Sequence, residues 1–269
     1  MNQFATYEDE NIHYWTNRSS GYSSVNQEEL ASQQKNVWGR QISGRIAARF
    51  PGRKPETIRV LDVGTGPGFF AIILAQMGYQ VTAVDYTASM LEEARHNAGA
   101  FVGRIQFRQM NAEALCFASD SFDVVVTRNV TWNLHNPEQA YAHWTRVLAP
   151  GGLLLNFDAN WYRYLWDEEA KQGHAQDREN LAASDVRDEN AGTDVDAMEA
   201  IARQTPLSRQ HRPAWDLDVL RRLGIQASAD EEIWREVWTK EERINNASTP
   251  MFLVEGRKRS CGKRNEVSI

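Results

Sequence analysis

The stretch Val60–Phe70, VLDVGTGPGFF, limits what this chain can fold into more than any other. An apolar strand runs into glycines at three alternate positions and then into an apolar helix. Glycine lets the backbone take left-handed torsions there and lets a ligand approach the main chain closely. A strand, a glycine turn and a helix in that order is a nucleotide-binding element.

The residues around it extend the pattern. Strands are predicted over Arg59–Val63, Gln80–Val84, Ile105–Gln109, Phe122–Thr127 and Gly152–Asp158, with helices over Gly68–Met77, Ser89–Ala98 and Glu138–Leu148. Strands alternating with short helices predict a parallel sheet covered on both faces. Upstream, Leu30, Val37, Trp38, Ile42, Ile46 and Phe50 mark a helix from Glu28 to Phe50. Asn26 and Glu29 form a capping-box pattern before it, and Pro51-Gly52 ends it.

After Trp161 the alternation stops. Asp167 to Glu199 holds eleven acids and three bases, a local net charge of -8, and reads as a helical cap with a solvated face. A helix at Leu217–Leu223, a strand near Ile225–Ser228, a helix around Trp234–Asn245 and a strand at Pro250–Glu255 follow. The domain reading is a cap segment at 1–50, a cofactor core at 51–160, an acidic insertion at 161–213, the rest of the sheet at 214–257, and a disordered tail at 258–269.

With 269 residues and a 42% hydrophobic content, the chain can build one large core with an added cap. A net charge of -6 argues against a nucleic-acid partner, which would want a basic face. Cys116 and Cys261 lie far apart without metal-ligand spacing, so a reduced, cytoplasmic setting and no metal are expected. Cys116 reads as a small apolar filler. The N-terminus lacks the basic start and apolar run of a signal peptide, and the longest apolar run, Phe69–Ala75, is too short to span a bilayer.

Which nucleotide the turn holds is decided by its neighbours. The dinucleotide fingerprint places its third glycine three residues after the second. Phe69 stands there, and Gly68 comes one residue early. Asp62 sits inside the end of an apolar strand, where a carboxylate needs a reason. A second strand ends in Asp85, able to accept hydrogen bonds from ribose hydroxyls. Asp85 suits either kind of nucleotide.

Three motifs in order decide between them. VLDVGTGPGFFAIILAQMGYQVTAVDYTASMLEEAR, NAEALCFASDSFDVVVTRNVTWNL and RVLAPGGLLLNFD resemble the motifs of the class I S-adenosylmethionine-dependent methyltransferases over residues 55–160. Residues 1–50 are similar to the helical N-terminal segment of the small-molecule branch. The resemblance implies a Rossmann-like α/β fold: seven strands, mostly parallel, helices on both faces, the last strand antiparallel, and a helical cap. S-adenosylmethionine is the implied cofactor and a small molecule the implied acceptor, methylated at N, O or S.

Site roles follow from the same resemblance. Gly64, Thr65, Gly66 and Gly68 would approach the methionine part of the cofactor, with Asp62 near its amino group, directly or through water. Asp85 would hold the ribose, flanked by Tyr86 and Met90. Asn111, Ala112 and Glu113 would edge the adenine, while Arg128 and Asn129 face the reacting centre and Tyr22 reaches the cofactor's carboxylate. Asn111 departs from the aspartate many relatives carry, RNVTW replaces the N-P-P-Y motif of amino-group DNA methyltransferases, and NFD replaces the acidic ending of the quinone branch. Asp158 and His135 are the candidate bases. Tyr14, Trp132, Trp161 and Tyr162 are candidate acceptor walls, with core packing the competing role for each aromatic. The alternative function is a non-catalytic S-adenosylmethionine-binding partner subunit; a hydride-transferring enzyme is a more distant one.

Overall fold

The computed structural model describes residues 4–260. Seven strands form one sheet: β1 (Arg59–Val63), β2 (Gln80–Asp85), β3 (Ile105–Gln109), β4 (Phe122–Arg128), β5 (Leu148–Asp158), β6 (Gln226–Asp230) and β7 (Phe252–Arg257). Their order is β3-β2-β1-β4-β5-β7-β6. β7 runs antiparallel to both β5 and β6, and every other pairing is parallel. The chain reverses its direction of travel across the sheet between β1 and β4, which opens a crevice at their carboxyl ends.

Each strand divides its side chains between two faces, as the pleat requires. Val60, Val124, Val126, Leu153 and Phe157 pack with Trp38, Ile42 and Ile46 of α2 (Gln34–Arg49) and Phe70 and Ile73 of α3 (Phe69–Gln76). Leu61, Val125, Leu154 and Val254 pack on the opposite face with Tyr141 and Trp144 of α5 (Pro137–Val147) and Val219 and Leu220 of α8 (Ala214–Arg222). β5 starts at Leu148, earlier than the predicted Gly152, and its register against β4 shifts between Phe122 and Val124. A Cβ on Gly152 would lie 2.8 Å from the Ala149 carbonyl oxygen, so the bulge requires glycine there.

The N-terminal helix differs most from the sequence expectation. α1 spans Tyr7–Ala31, capped by the Thr6 hydroxyl, which accepts from the Asp9 N–H. Asn26 is therefore inside a helix and caps nothing; its amide donates to Glu29 Oε2 at 3.2 Å. The buried face of α1 is polar, made of Ser19, Ser23 and Asn26, so no 3.6-residue apolar period announces it. Asn97 of α4 (Ala88–Ala98) reaches this face: its Nδ2 donates to Ser23 Oγ and to the Pro67 carbonyl, each at 3.0 Å. α1 is thereby tied to the glycine turn.

The acidic stretch forms α6 (Glu168–Ala182) and α7 (Val195–Ala202). Asp167 and Asp194 cap them by accepting from the Ala170 and Ala197 N–H groups. Its charge is thus partly helix capping, where acids at the first turn favour the helix dipole. Asp177 is buried and accepts from Ser248 N and Oγ. The predicted helix at Trp234–Asn245 is two short ones, α9 (Trp234–Val237) and α10 (Lys240–Asn245). Cys116 is exposed, a correction to the expected apolar filler. Of the expected disordered tail, residues 261–269 lie outside the described residues. Lys258 is held in place: its ammonium donates to Asp120 Oδ1 and the Thr145 and Leu148 carbonyls. No helix among the described residues is long and apolar enough to cross a membrane.

Candidate active site

The turn after β1 uses each glycine differently. All three adopt left-handed torsions, with φ of 65° at Gly64, 51° at Gly66 and 95° at Gly68. A Cβ on Gly64 would meet Val130 Cγ2 at 2.3 Å, and one on Gly68 would meet the Ala94 Cβ of α4 at 3.1 Å. A Cβ on Gly66 would enter the crevice, 3.6 Å from the Tyr22 ring. Gly66 is therefore the position where the backbone faces a ligand, while Gly64 and Gly68 allow close packing behind it.

Asp62 braces this turn from below. Its Oδ2 accepts from Thr65 Oγ1 at 2.6 Å and from the Ala71 N–H at 3.0 Å. Burial pushes its carboxyl up to about 7, against those two hydrogen bonds. Asp62, Thr65 and Gly68 do not line the crevice, and for Asp62 the expectation of a contact directly or through water leaves the second route. They shape the loop, and Gly64 and Gly66 present it.

Asp85, at the end of β2, joins the turn to the crevice. Its Oδ2 accepts from the Gly66 N–H and its Oδ1 from the Thr87 N–H, both at 2.9 Å. Burial raises its pKa, and those backbone donors oppose the rise. Asp85 also lines the crevice, so its carboxylate stands where a ligand's hydroxyl pair would reach it.

The crevice lies between the glycine turn and α1 and opens to solvent. Gly64, Gly66, Asp85, Tyr86, Thr87 and Met90 line one side, and Met110, Asn111, Ala112 and Glu113 another. The Glu113 carboxylate is already engaged: it accepts from the Asn136 backbone and amide at 2.8 and 3.0 Å, at the start of α5. Arg128 and Asn129 follow β4 into the floor. Arg128 donates to Glu29 of α1 at 2.8 Å and lies 4.8 Å over the Trp38 ring. Asn129 has a φ of 57°, and its Oδ1 is buried without a hydrogen-bond partner. An orphaned acceptor and a strained torsion beside a crevice mark a place prepared for a donor group.

α1 roofs the crevice with Tyr7, Glu8, Asn11, Ile12, Trp15 and Tyr22. It is clasped to the loop after β4, where the Tyr7 hydroxyl donates to the Asn133 carbonyl at 2.7 Å and Asn133 Nδ2 donates to Asn11 Oδ1 at 3.1 Å. His135 lines the crevice with its ring 5.1 Å from that of Tyr7. Sequence reasoning missed Tyr7, Asn11 and Asn133. Only the aromatic content of the N-terminal segment pointed toward them.

Four expected acceptor walls lie elsewhere. Tyr14, Trp132, Trp161 and Tyr162 do not line the crevice; they pack with Met198 and Ile201 in a cluster that the roof residues Tyr7 and Trp15 also join. The Trp132 and Tyr162 rings meet at a tilt with centroids 4.8 Å apart, so they cover one another. Asp158 is also misassigned as a base. Its side chain is wholly buried, Oδ2 accepts from Arg212 Nη1 at 2.7 Å, and Oδ1 accepts from the Ala159 N–H at 2.9 Å.

Residues 61–156 match the family model described as a methyltransferase domain. Over that stretch the chain is similar to the class I S-adenosylmethionine-dependent methyltransferases. Among curated relatives, the ubiquinone biosynthesis O-methyltransferase of Caulobacter sp. (strain K31) is 35% identical over 120 residues, 42% of this chain and 48% of that protein. The demethylmenaquinone methyltransferase of Deinococcus radiodurans is 38% identical over 120 residues, 44% of this chain and 47% of that protein. The chain spans about half the length of the curated relatives it matches. The solved YcgJ protein of Bacillus subtilis shares the fold, with a TM-score of 0.52 and 18% identity over 81% of this chain and 98% of that one.

S-adenosylmethionine is the cofactor of this family, and the residues present fit it. Gly66 leaves room for a ligand against the turn, Asp85 lines the crevice beside it, and Asn129 Oδ1 awaits a donor.

Proposed function

We propose that this chain transfers a methyl group from S-adenosylmethionine to a small-molecule acceptor, at N, O or S, inside the cleft beneath α1. The observation that carries the reading is Asp85, whose carboxylate fastens the glycine turn through Gly66 and lines the cleft.

Asp85 would hold the ribose hydroxyls, Met90 and Ala112 would flank the adenine, and Asn129 Oδ1 would accept from the cofactor's amino group. The bound sulfonium supplies an already activated methyl. What remains for the protein is alignment and exclusion of water, worth roughly 7–11 kcal/mol of barrier in favourable cases. The α1 roof supplies the exclusion, held down by Tyr7 on Asn133. Aromatic faces of Trp15 and Tyr22 would stabilise a cation beneath them. If the acceptor arrives protonated, His135 is the cleft residue suited to take the proton.

The relatives named for ubiquinone and menaquinone biosynthesis favour a ring-bearing acceptor, which suits an aromatic roof. We take residues 51–160 and 214–257 as the cofactor core, residues 1–50 and 161–213 as its cap, and the cytoplasm as its setting. The test is release of S-adenosylhomocysteine on incubation with S-adenosylmethionine and a panel of phenolic, amine and thiol acceptors. Acceptor-dependent release supports an enzyme. Tight cofactor binding without release from any acceptor class would favour a non-catalytic binding subunit.

A further inference from the structure

We propose that Arg212 is a positioning residue of the cleft: from the end of the cap it holds the loop after β4, and so the wall carrying Asn129 and Asn133, in place. This rests on the reading of the cleft as the cofactor site.

The side chains of Arg212, Asp158 and Asp216 are all 0% exposed. Arg212 Nε and Nη2 donate to Asp216 Oδ2 and Oδ1 at 2.9 and 2.8 Å, a two-pronged pair. Its Nη1 donates to Asp158 Oδ2 at 2.7 Å. One guanidinium thus joins two carboxylates from different parts of the fold, which a lysine ammonium cannot match in geometry.

The two carboxylates lead to different places. Asp216 belongs to the scaffold: it accepts from the Tyr141 hydroxyl of α5 at 2.7 Å, and that hydroxyl accepts from Asn156 of β5 at 2.7 Å. Asp158 leads to the cleft. The same Oδ2 that Arg212 holds accepts from the Trp132 N–H at 2.9 Å. The Trp132 indole N–H then donates to the Asn129 carbonyl at 2.9 Å. Asn133, the next residue, carries the carbonyl that clasps Tyr7 of α1.

Arg212 itself does not line the cleft. Its influence passes through Asp158, which without it would be a wholly buried carboxylate held only by two backbone N–H groups. Burial already pushes the Asp158 pKa up, and Arg212 opposes that rise. Losing Arg212 drives Asp158 toward its neutral form, which is a weaker acceptor for the Trp132 N–H. The loop then loses the anchor nearest its turn.

The experiment compares the full chain with Arg212→Met and Arg212→Lys by hydrogen exchange and by calorimetric titration with S-adenosylhomocysteine. In Arg212→Met, exchange is expected to rise over residues 129–136 and 7–15, while β1, β2 and β4 stay protected. Affinity for S-adenosylhomocysteine should fall about three- to thirtyfold. Arg212→Lys keeps the charge, and so the fold should Arg212→Met fail to fold, and shows the same local loosening to a smaller degree. Exchange raised evenly across the sheet would mean a general scaffold role and overturn the proposal, as would wild-type exchange over 129–136 in either folded variant. If the wild type itself fails to bind S-adenosylhomocysteine, the cofactor reading falls, and the exchange pattern still decides the role of Arg212.

Discussion

The Gly66 N–H donates to Asp85 Oδ2 across 2.9 Å, so the glycine turn after β1 is fastened to the acid that ends β2. One carboxylate therefore shapes the turn and lines the cleft where a ligand's hydroxyls would meet it. Asp85→Ala removes both functions. Cofactor affinity is expected to fall by about tenfold or more, since each charge-assisted hydrogen bond is worth ~1.5–3 kcal/mol. Calorimetry on the folded variant checks this, and unchanged affinity would remove Asp85 from the site.

Gly64 and Gly66 should respond in opposite ways to added side chains. At Gly64 a Cβ meets Val130 at 2.3 Å, so Gly64→Ala must move the loop and is expected to cost about 1–3 kcal/mol of stability. At Gly66 the Cβ enters the cleft, so Gly66→Val is expected to abolish cofactor binding with a smaller loss of stability. Urea unfolding and cofactor titration on both variants test the contrast. Equal losses of stability, with binding retained in Gly66→Val, would contradict it.

Asp62 gives a pH dependence. Its carboxyl is raised from 3.8 to about 7 by burial, so the folded chain holds that proton more tightly than the unfolded chain. The stability it contributes is full below about pH 4 and lost as pH rises through 7. Asp62→Asn does not titrate. From pH 5 to pH 8 its stability relative to the wild type should therefore improve by about 1–3 kcal/mol. A difference between the two proteins that stays constant over that range would show that Asp62 does not carry a raised pKa.

The roof should act on exchange rates of the ligand more than on the fold. Tyr7→Phe removes the hydroxyl that donates to the Asn133 carbonyl. Loss of one such bond, worth about 0.5–1.5 kcal/mol, is expected to speed S-adenosylhomocysteine dissociation by a few-fold to about tenfold. Stopped-flow displacement measures this. A dissociation rate equal to the wild type's would mean that α1 does not close the site.

The sheet was legible because its strands are short apolar runs, and the glycine turn with Asp85 was legible because backbone torsion and ligand chemistry both demand particular residues there. α1 was legible only in part. Its fully buried residues are Ser19, Ser23 and Asn26, with Asn97 bonded to Ser23, so apolar periodicity does not mark that face. Residue type alone points Trp132, after β4, and Tyr162, after β5, to the cleft, but the two rings pack on each other. Asp158 was assigned from its position at a strand end. No local signal showed that Arg212, 54 residues on, neutralises it.

The central claim is that the cleft between the glycine turn and α1 binds S-adenosylmethionine. Calorimetric titration of the full chain with S-adenosylhomocysteine, run beside the Gly66→Val variant and beside a nicotinamide dinucleotide, tests it most directly. The expected result is one site per chain with a dissociation constant roughly between 1 μM and 1 mM, no binding in Gly66→Val, and none of the dinucleotide. Wild-type affinity in Gly66→Val, or saturable binding of the dinucleotide alone, would contradict it.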